Sequence, residues 1–157
     1  MLVNLTHTLT LATTQQDAWN LLRDTKRLAA LIPSVESVTP VDVEKHVARI
    51  VERVGPFRLS LKLEVKIVQA VEPSLLQAEL SGADSHGQNR LSGTICAELK
   101  RASSAGTLLS MDSRVEVTGT LATLGAAPIR RRANELFAQF AERLQGQFSP
   151  AGKESSS

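Results

Sequence analysis

The sequence predicts an α+β fold: a curved antiparallel sheet wrapped around a long C-terminal helix, with two short helices after the first strand. Two observations lead there. Ile129, Ala133, Leu136, Phe137, Phe140, Ala141, Leu144 and Phe148 recur at steps of three and four, so residues 124–146 read as a helix with one apolar face. Residues 46–121 alternate apolar and polar side chains with period two, the pattern of strands with one solvated face. The helical stripe holds three of the chain's four Phe and needs a large apolar partner, which the strands supply. A long helix laid across a curved sheet can enclose space for a ligand.

Each element has its own signature. In residues 2–11, Val3, Leu5, His7, Leu9 and Leu11 share one face of a strand while Asn4, Thr6, Thr8 and Thr10 share the other. Thr14 reads as an N-cap, with Asp17 three residues on, for a short helix carrying Ala18, Trp19, Leu21 and Leu22. Residues 25–32 form a second short helix that Pro33 ends, because proline disfavours helical backbone in the residue before it. Residues 35–43, interrupted by Pro40, read as an edge strand. A hairpin follows, turning at Gly55-Pro56. Its second arm sets Phe57, Leu59, Leu61, Leu63, Val65 and Ile67 inward against Arg58, Ser60, Lys62, Glu64 and Lys66. Residues 75–80 form a strand and 82–88 a loop. Leu91, Gly93, Ile95, Ala97 and Leu99 face inward next, and residues 102–106 turn. On the last strand Leu109, Met111, Val115, Val117 and Leu121 face inward. Residues 1–148 are read as one ligand-binding domain, and the small, polar residues 149–157 as a disordered tail.

Composition narrows the function classes. A net charge of +2 and 3% aromatic residues give neither the electrostatic footprint nor the stacking platforms of a nucleic-acid binder. No run approaches the ~18 apolar residues of a membrane span. A single cysteine excludes an internal disulfide, and no basic region precedes the first apolar residues, which argues for the cytoplasm. No His, Cys, Asp and Glu spacing resembles a metal site, and no phosphate-binding or nucleophile motif occurs. No cofactor is therefore expected.

The order of elements resembles the START-like, helix-grip (SRPBCC) superfamily of ligand-binding and polyketide-cyclase domains. Local stretches narrow this. Ala18-Trp19-Asn20-Leu21-Leu22-Arg23-Asp24, Leu28-Ala29-Ala30-Leu31-Ile32-Pro33-Ser34-Val35-Glu36-Ser37, Val54-Gly55-Pro56 and Gly119-Thr120-Leu121-Ala122-Thr123-Leu124-Gly125, with Phe140 beyond them, are similar to the CoxG family, the G subunits of carbon monoxide dehydrogenase, across residues 3–146. The resemblance implies a non-catalytic accessory protein of molybdenum hydroxylases, one that recruits the enzyme to the membrane and binds a quinone-like lipid. Pro128 stands where that family usually has an aliphatic residue, which predicts a kinked or delayed start to the long helix.

The candidate cavity residues are His7, Glu52, Leu59, Leu61, Leu63, Gly93, Met111, Ser113, Val115, Phe137 and Phe140. His7, on an apolar face, is either a hydrogen-bonded core or edge histidine or a polar contact for a ligand head. Glu52 keeps the inward parity of Ala48, Ile50 and Val54. Either a bulge or sheet edge lets it reach water, or it is an acid inside the cavity. Ser113 belongs to an inward series, and Gly93 leaves room opposite a ligand or the helix. Phe137 and Phe140 should be buried against the sheet. Cys96 is read as an inert outward thiol, and His46 and His86 as turn residues. Arg130, Arg131 and Arg132 are either a solvated helix face or a contact for anionic lipid or an acidic partner.

The expectation is thus a carrier of a quinone or other hydrophobic ligand between sheet and helix, with His7, Ser113 or Glu52 meeting the polar head. It would serve a molybdenum hydroxylase, in the cytoplasm or peripherally at the inner face of the cytoplasmic membrane. The alternatives are a polyketide cyclase-like enzyme, or an assembly factor with a filled core and no ligand.

Overall fold

In a computed structural model, which describes residues 1–103 and 106–148, the chain runs through eleven elements. They are β1 (Leu2–Leu11), α1 (Gln15–Arg23), α2 (Thr25–Leu31), β2 (Val35–Asp42), β3 (Lys45–Val54), β4 (Phe57–Val71), β5 (Leu75–Asp84), β6 (Asn89–Ser103), β7 (Gly106–Gly119), a 3-10 turn (Thr120–Leu124) and α3 (Ala126–Gly146). The tail expected at residues 149–157, and part of the expected 102–106 turn, lie outside the described residues.

Local chemistry explains the boundaries. The Thr14 hydroxyl accepts the Asp17 N–H at 3.1 Å and starts α1. Asp24 ends α1 and begins α2, its carboxylate accepting the Arg27 N–H at 3.3 Å. Ile32, before Pro33, takes extended backbone and stops α2. β7 stops at Gly119, whose φ is +99° and where a Cβ would lie 1.7 Å from the Gln88 carbonyl oxygen, so only glycine fits.

The last strand and the long helix therefore do not meet as the alternation suggests. The 3-10 turn intervenes, Leu121 is buried from that turn rather than from β7, and α3 begins at Ala126 instead of residue 124. Pro128 is the third residue of α3. There its missing N–H is one that the first turn leaves unpaired anyway. The strands also run longer than periodicity indicates. β4 reaches Val71 and β5 reaches Asp84, so the predicted 82–88 loop narrows to the residues after Asp84.

All seven strands form one antiparallel sheet in the order β1-β7-β6-β5-β4-β3-β2. The first strand pairs with the last, from Leu2 opposite Glu116 to Leu11 opposite Thr107. α3 packs chiefly along β1. Two apolar clusters hold the molecule. One joins α1, β1, β6, β7 and the C-terminal half of α3 through Leu11, Trp19, Leu21, Leu99, Leu109, Phe140 and Leu144. The other joins Val3, Val54, Leu59, Val117 and Leu121 below the start of α3. Only Phe140 and Leu144 of α3 are buried; Ile129, Ala133, Leu136, Phe137 and Ala141 are half-buried.

Candidate functional site: apolar hollows beneath the long helix

The half-buried positions of α3 face space. A hollow of about 200 Å³ lies under its first half, lined by Ile129, Ala133 and Leu136 with Val3, Leu5, Ile50, Leu59, Leu61, Leu91, Val115 and Val117 from the sheet. A larger one, of about 420 Å³, lies between α2, the β2–β6 side of the sheet and Leu136, Phe137 and Phe140 of α3. Its sheet wall is Val38, Ala48, Ile50, Leu63, Val65, Ile67, Leu76, Ala78, Leu80, Ile95, Ala97 and Met111, and its roof is Leu28, Ala29 and Ile32 of α2. Ile50 and Leu136 belong to both hollows. The sequence forms this space because β4, β5 and β6 keep their inward parity beyond the reach of α3. Leu59 and Leu61 at the near end of β4 are buried, whereas Leu63, Val65 and Ile67 are only half-buried.

The sequence-derived candidates divide between these spaces. Glu52, Leu59, Leu61 and Val115 line the smaller hollow. Leu63, Met111, Phe137 and Phe140 line the larger one. His7, Gly93 and Ser113 line neither. His7 stacks on Phe137, ring centroids 3.9 Å apart, and its Nε2 lies 2.8 Å from Asn134 Oδ1, so the ring is held by α3 as a hydrogen-bonded histidine. Phe137, which also lines the larger hollow, is half-buried rather than buried, and leans on Phe140 with centroids 5.9 Å apart. Ser113 sits on β7 between Leu5 and Ile95. At Gly93 a Cβ would come 1.9 Å from the Arg114 carbonyl oxygen, so the glycine serves the close approach of β6 to β7 and leaves no extra room toward the helix.

Glu52 points inward and meets an arginine. The β3–β4 register runs unbroken past it, without the bulge that would have turned it to water. Its Oε1 accepts from Arg132 Nε at 3.1 Å and from the adjoining guanidinium nitrogen at 2.7 Å. Arg132 also donates to Glu135 at 3.1 Å. The hydrogen bonds that Arg132 donates to Glu52 and then to Glu135 push the guanidinium pKa up, fixing its charge. The pair bridges β3 to α3 at the edge of the smaller hollow. The three arginines are therefore not equivalent: Arg132 is engaged within the chain, whereas Arg130 and Arg131 are exposed.

The polar lining of the larger hollow is small and gathers where α2 begins opposite the β2–β3 hairpin. It consists of Arg23, Thr25 and His46. Arg23 is paired with Glu44 at 2.8 Å. Val43, 82% exposed at the hairpin, also borders the space and marks its open side. His46 is not the turn residue that the sequence pattern suggests. It is the second residue of β3 and shares the inward parity of Ala48, Ile50 and Glu52. Running that alternation back one step from Ala48 finds it.

Burial, then the Glu98 and Asp112 carboxylates, push the Cys96 thiol pKa up, away from the thiolate that reactivity needs. No group of three or more His, Cys, Asp or Glu among the described residues could hold a metal. No helix among them is long and apolar enough to cross a membrane.

The model of the CoxG family, the G subunits of carbon monoxide dehydrogenase, matches residues 8–149. The chain belongs to the CoxG family. Solved structures place this CoxG chain among START-type folds. A conserved protein from Geobacillus kaustophilus superposes with a TM-score of 0.85 at 18% identity, over 93% of this chain and 95% of that one. A START superfamily protein from Mycobacterium smegmatis gives 0.69 at 14% identity, over 92% and 96%. The Zhui aromatase/cyclase from Streptomyces sp. R1128 gives 0.66 at 13% identity, over 97% and 99%. At such identities the likeness establishes the helix-grip fold of this CoxG protein and nothing about its ligand. No curated protein sequence matches the chain.

Proposed function

We propose that this CoxG-family protein is a non-catalytic accessory protein that carries a hydrophobic molecule, a quinone or other lipid, in the larger hollow, and serves a molybdenum hydroxylase at the membrane. One observation carries the reading: a space of about 420 Å³, bounded almost wholly by aliphatic and aromatic side chains, beneath the one long helix. That volume lies within the roughly 300–1,000 Å³ of ligand sites. Walls of this kind reward buried hydrocarbon, at roughly 25 cal/mol per Å² before the costs of association, and offer little to a small polar substrate. The family relationship supports the accessory role and the enzyme partner. The exposed Arg130 and Arg131 supply positive charge for an anionic lipid surface or an acidic partner, with Arg132 held back by Glu52.

Titration of the delipidated protein with a menaquinone analogue and with a matched alkyl chain tests the carrier reading. Saturable binding of both is expected. It should fail in Leu63→Asp, which puts a charge into the wall, and survive His7→Ala, which lies outside the hollow. Failure of the folded protein to bind either compound would leave the filled, ligand-free assembly factor as the account.

A further inference from the structure

The two hollows are the ends of one trough beneath α3. Three elements run from one to the other. On β6 the smaller hollow is bordered by Leu91 and the larger by Ile95; on β7 the same change runs from Val115 to Met111, and on α3 from Ala133 to Phe137. Between them, Ile50 of β3 and Leu136 of α3 border both spaces, so the trough narrows where this strand faces the helix. Both residues are half-buried, and neither belongs to the two packed clusters on either side. A leucine held this loosely can change rotamer and let a slim chain pass. The outermost α3 residues of the trough, Ile129 and Phe140, are eleven residues apart, about 16 Å along the helix axis.

The two ends differ in chemistry. The larger hollow keeps its few polar groups and the exposed Val43 on the hairpin side, away from the neck. The smaller one is bordered by hydrocarbon apart from Ser34, Glu52 and Arg132, and the last two spend their charges on each other. It adds about 200 Å³ to about 420 Å³, roughly half as much again. We propose that the smaller hollow is the tail compartment of the site. The head of the ligand stays on the hairpin side of the larger hollow, and the end of its hydrocarbon chain passes between Ile50 and Leu136 to lie under the first half of α3. The inference rests on the carrier reading and deepens it by naming the ligand class: amphiphiles whose tail is long enough to cross the neck. A shorter tail leaves the second space empty and forgoes that burial.

The test uses the delipidated protein and 2-alkyl-1,4-benzoquinones with unbranched tails from octyl to octadecyl. For each probe the wild-type affinity is divided by that of Ala133→Phe, whose ring enters the smaller hollow alone. The ratio cancels the behaviour of the probe in water. It should stay near one for short tails, which also shows that the variant is folded. Beyond a break it should grow roughly fourfold for each further methylene until the smaller hollow is full. In the unaltered protein, a photoreactive diazirine on the last tail carbon should label Ile129 or Ala133 from the octadecyl probe, and Phe137 or Phe140 from the octyl one. That labelling decides alone if Ala133→Phe does not fold. A flat ratio in the folded variant, or octadecyl labelling confined to the larger hollow, would overturn the tail compartment and leave the carrier reading standing. A ratio raised equally for every tail would make the trough one undivided space and overturn it too. No saturable binding of any probe to the wild type would overturn both.

Discussion

Truncating a leucine should cost very different amounts on the two sides of α3. Leu144 is fully buried in the packed cluster with Trp19, Leu21 and Phe140. Leu144→Ala removes hydrocarbon worth about 0.8 kcal/mol per methylene, and the new void in tightly packed surroundings adds to that, for a total of about 3–4 kcal/mol. Leu63 is half-buried and faces the larger hollow. The atoms lost in Leu63→Ala already border space, so they give up few contacts and create no new kind of void, and the cost should be about 1 kcal/mol. Urea unfolding of the delipidated protein, followed by far-UV circular dichroism, resolves that difference provided the slopes of the two variants agree. Saturating ligand should widen the loss at Leu63 and leave that at Leu144 unchanged, because only Leu63 faces the occupant. Equal losses at the two positions without ligand would mean that the space is closed in solution, and the hollow-helix reasoning would fail.

Three further outcomes follow from the electrostatics. Arg132→Met keeps the packing stem but removes the Glu52 pair; with the Arg132 side chain 32% exposed, the cost should be about 1–2 kcal/mol, and it should largely vanish in a Glu52→Gln background. An unchanged cost in that background would show the pair to be idle. Desolvation works against the Asp84 charge, but the Asn89 side-chain amide and the Gln88, Asn89 and His86 backbone N–H groups together hold its pKa below the ordinary value. Its stabilisation is therefore present at neutral pH and fades as pH falls from about 4 through the lower folded value. Asp84→Asn should thus be less stable than wild type at pH 7, with the gap closing in acid; a gap independent of pH would refute the assignment. Reversing Arg130 and Arg131 to Glu, while sparing Arg132, should weaken binding to anionic phosphatidylglycerol vesicles. The difference should shrink as salt rises, because exposed charges are screened within ~8 Å at physiological ionic strength. Binding unchanged at low salt would assign both arginines to a solvated face.

The fold is largely legible in the sequence because its signals are local and mutually consistent. Leu59 to Ile67 on β4 can alternate only as a strand, and Ile129 to Phe148 repeats only as a helix. Boundaries are lost where backbone geometry, rather than side-chain pattern, decides. Gly119 ends β7 through a close approach to Gln88 that no periodicity records, so the pattern reveals neither the 3-10 turn nor the start of α3 at Ala126. The walls of the site are legible for the same reason as the strands, since Leu63 and Met111 are inward by parity. Its polar groups are harder. Parity places Glu52 inward but names no partner, because Arg132 lies 80 residues away in the chain. His7 passes the same inward test and is engaged by Phe137 and Asn134 instead. His46 is hidden by its closeness to the β2–β3 turn, since β3 begins only one residue before it, at Lys45. An apolar stripe also reads the same whether it meets side chains or empty space, so the half-buried state of Phe137 and Leu136 emerges only from the three-dimensional arrangement.

The central claim is that the space beneath α3 exists to be occupied by an apolar molecule. Native mass spectrometry of the protein purified from its own host, before and after organic extraction, addresses it most directly. One dominant adduct of lipid or quinone mass, at one per chain, is expected. Extraction should remove it, re-addition should restore it, and Leu63→Asp should lack it. A bare protein mass from the host, together with no adduct on incubation with a lipid extract of the same cells, would contradict it.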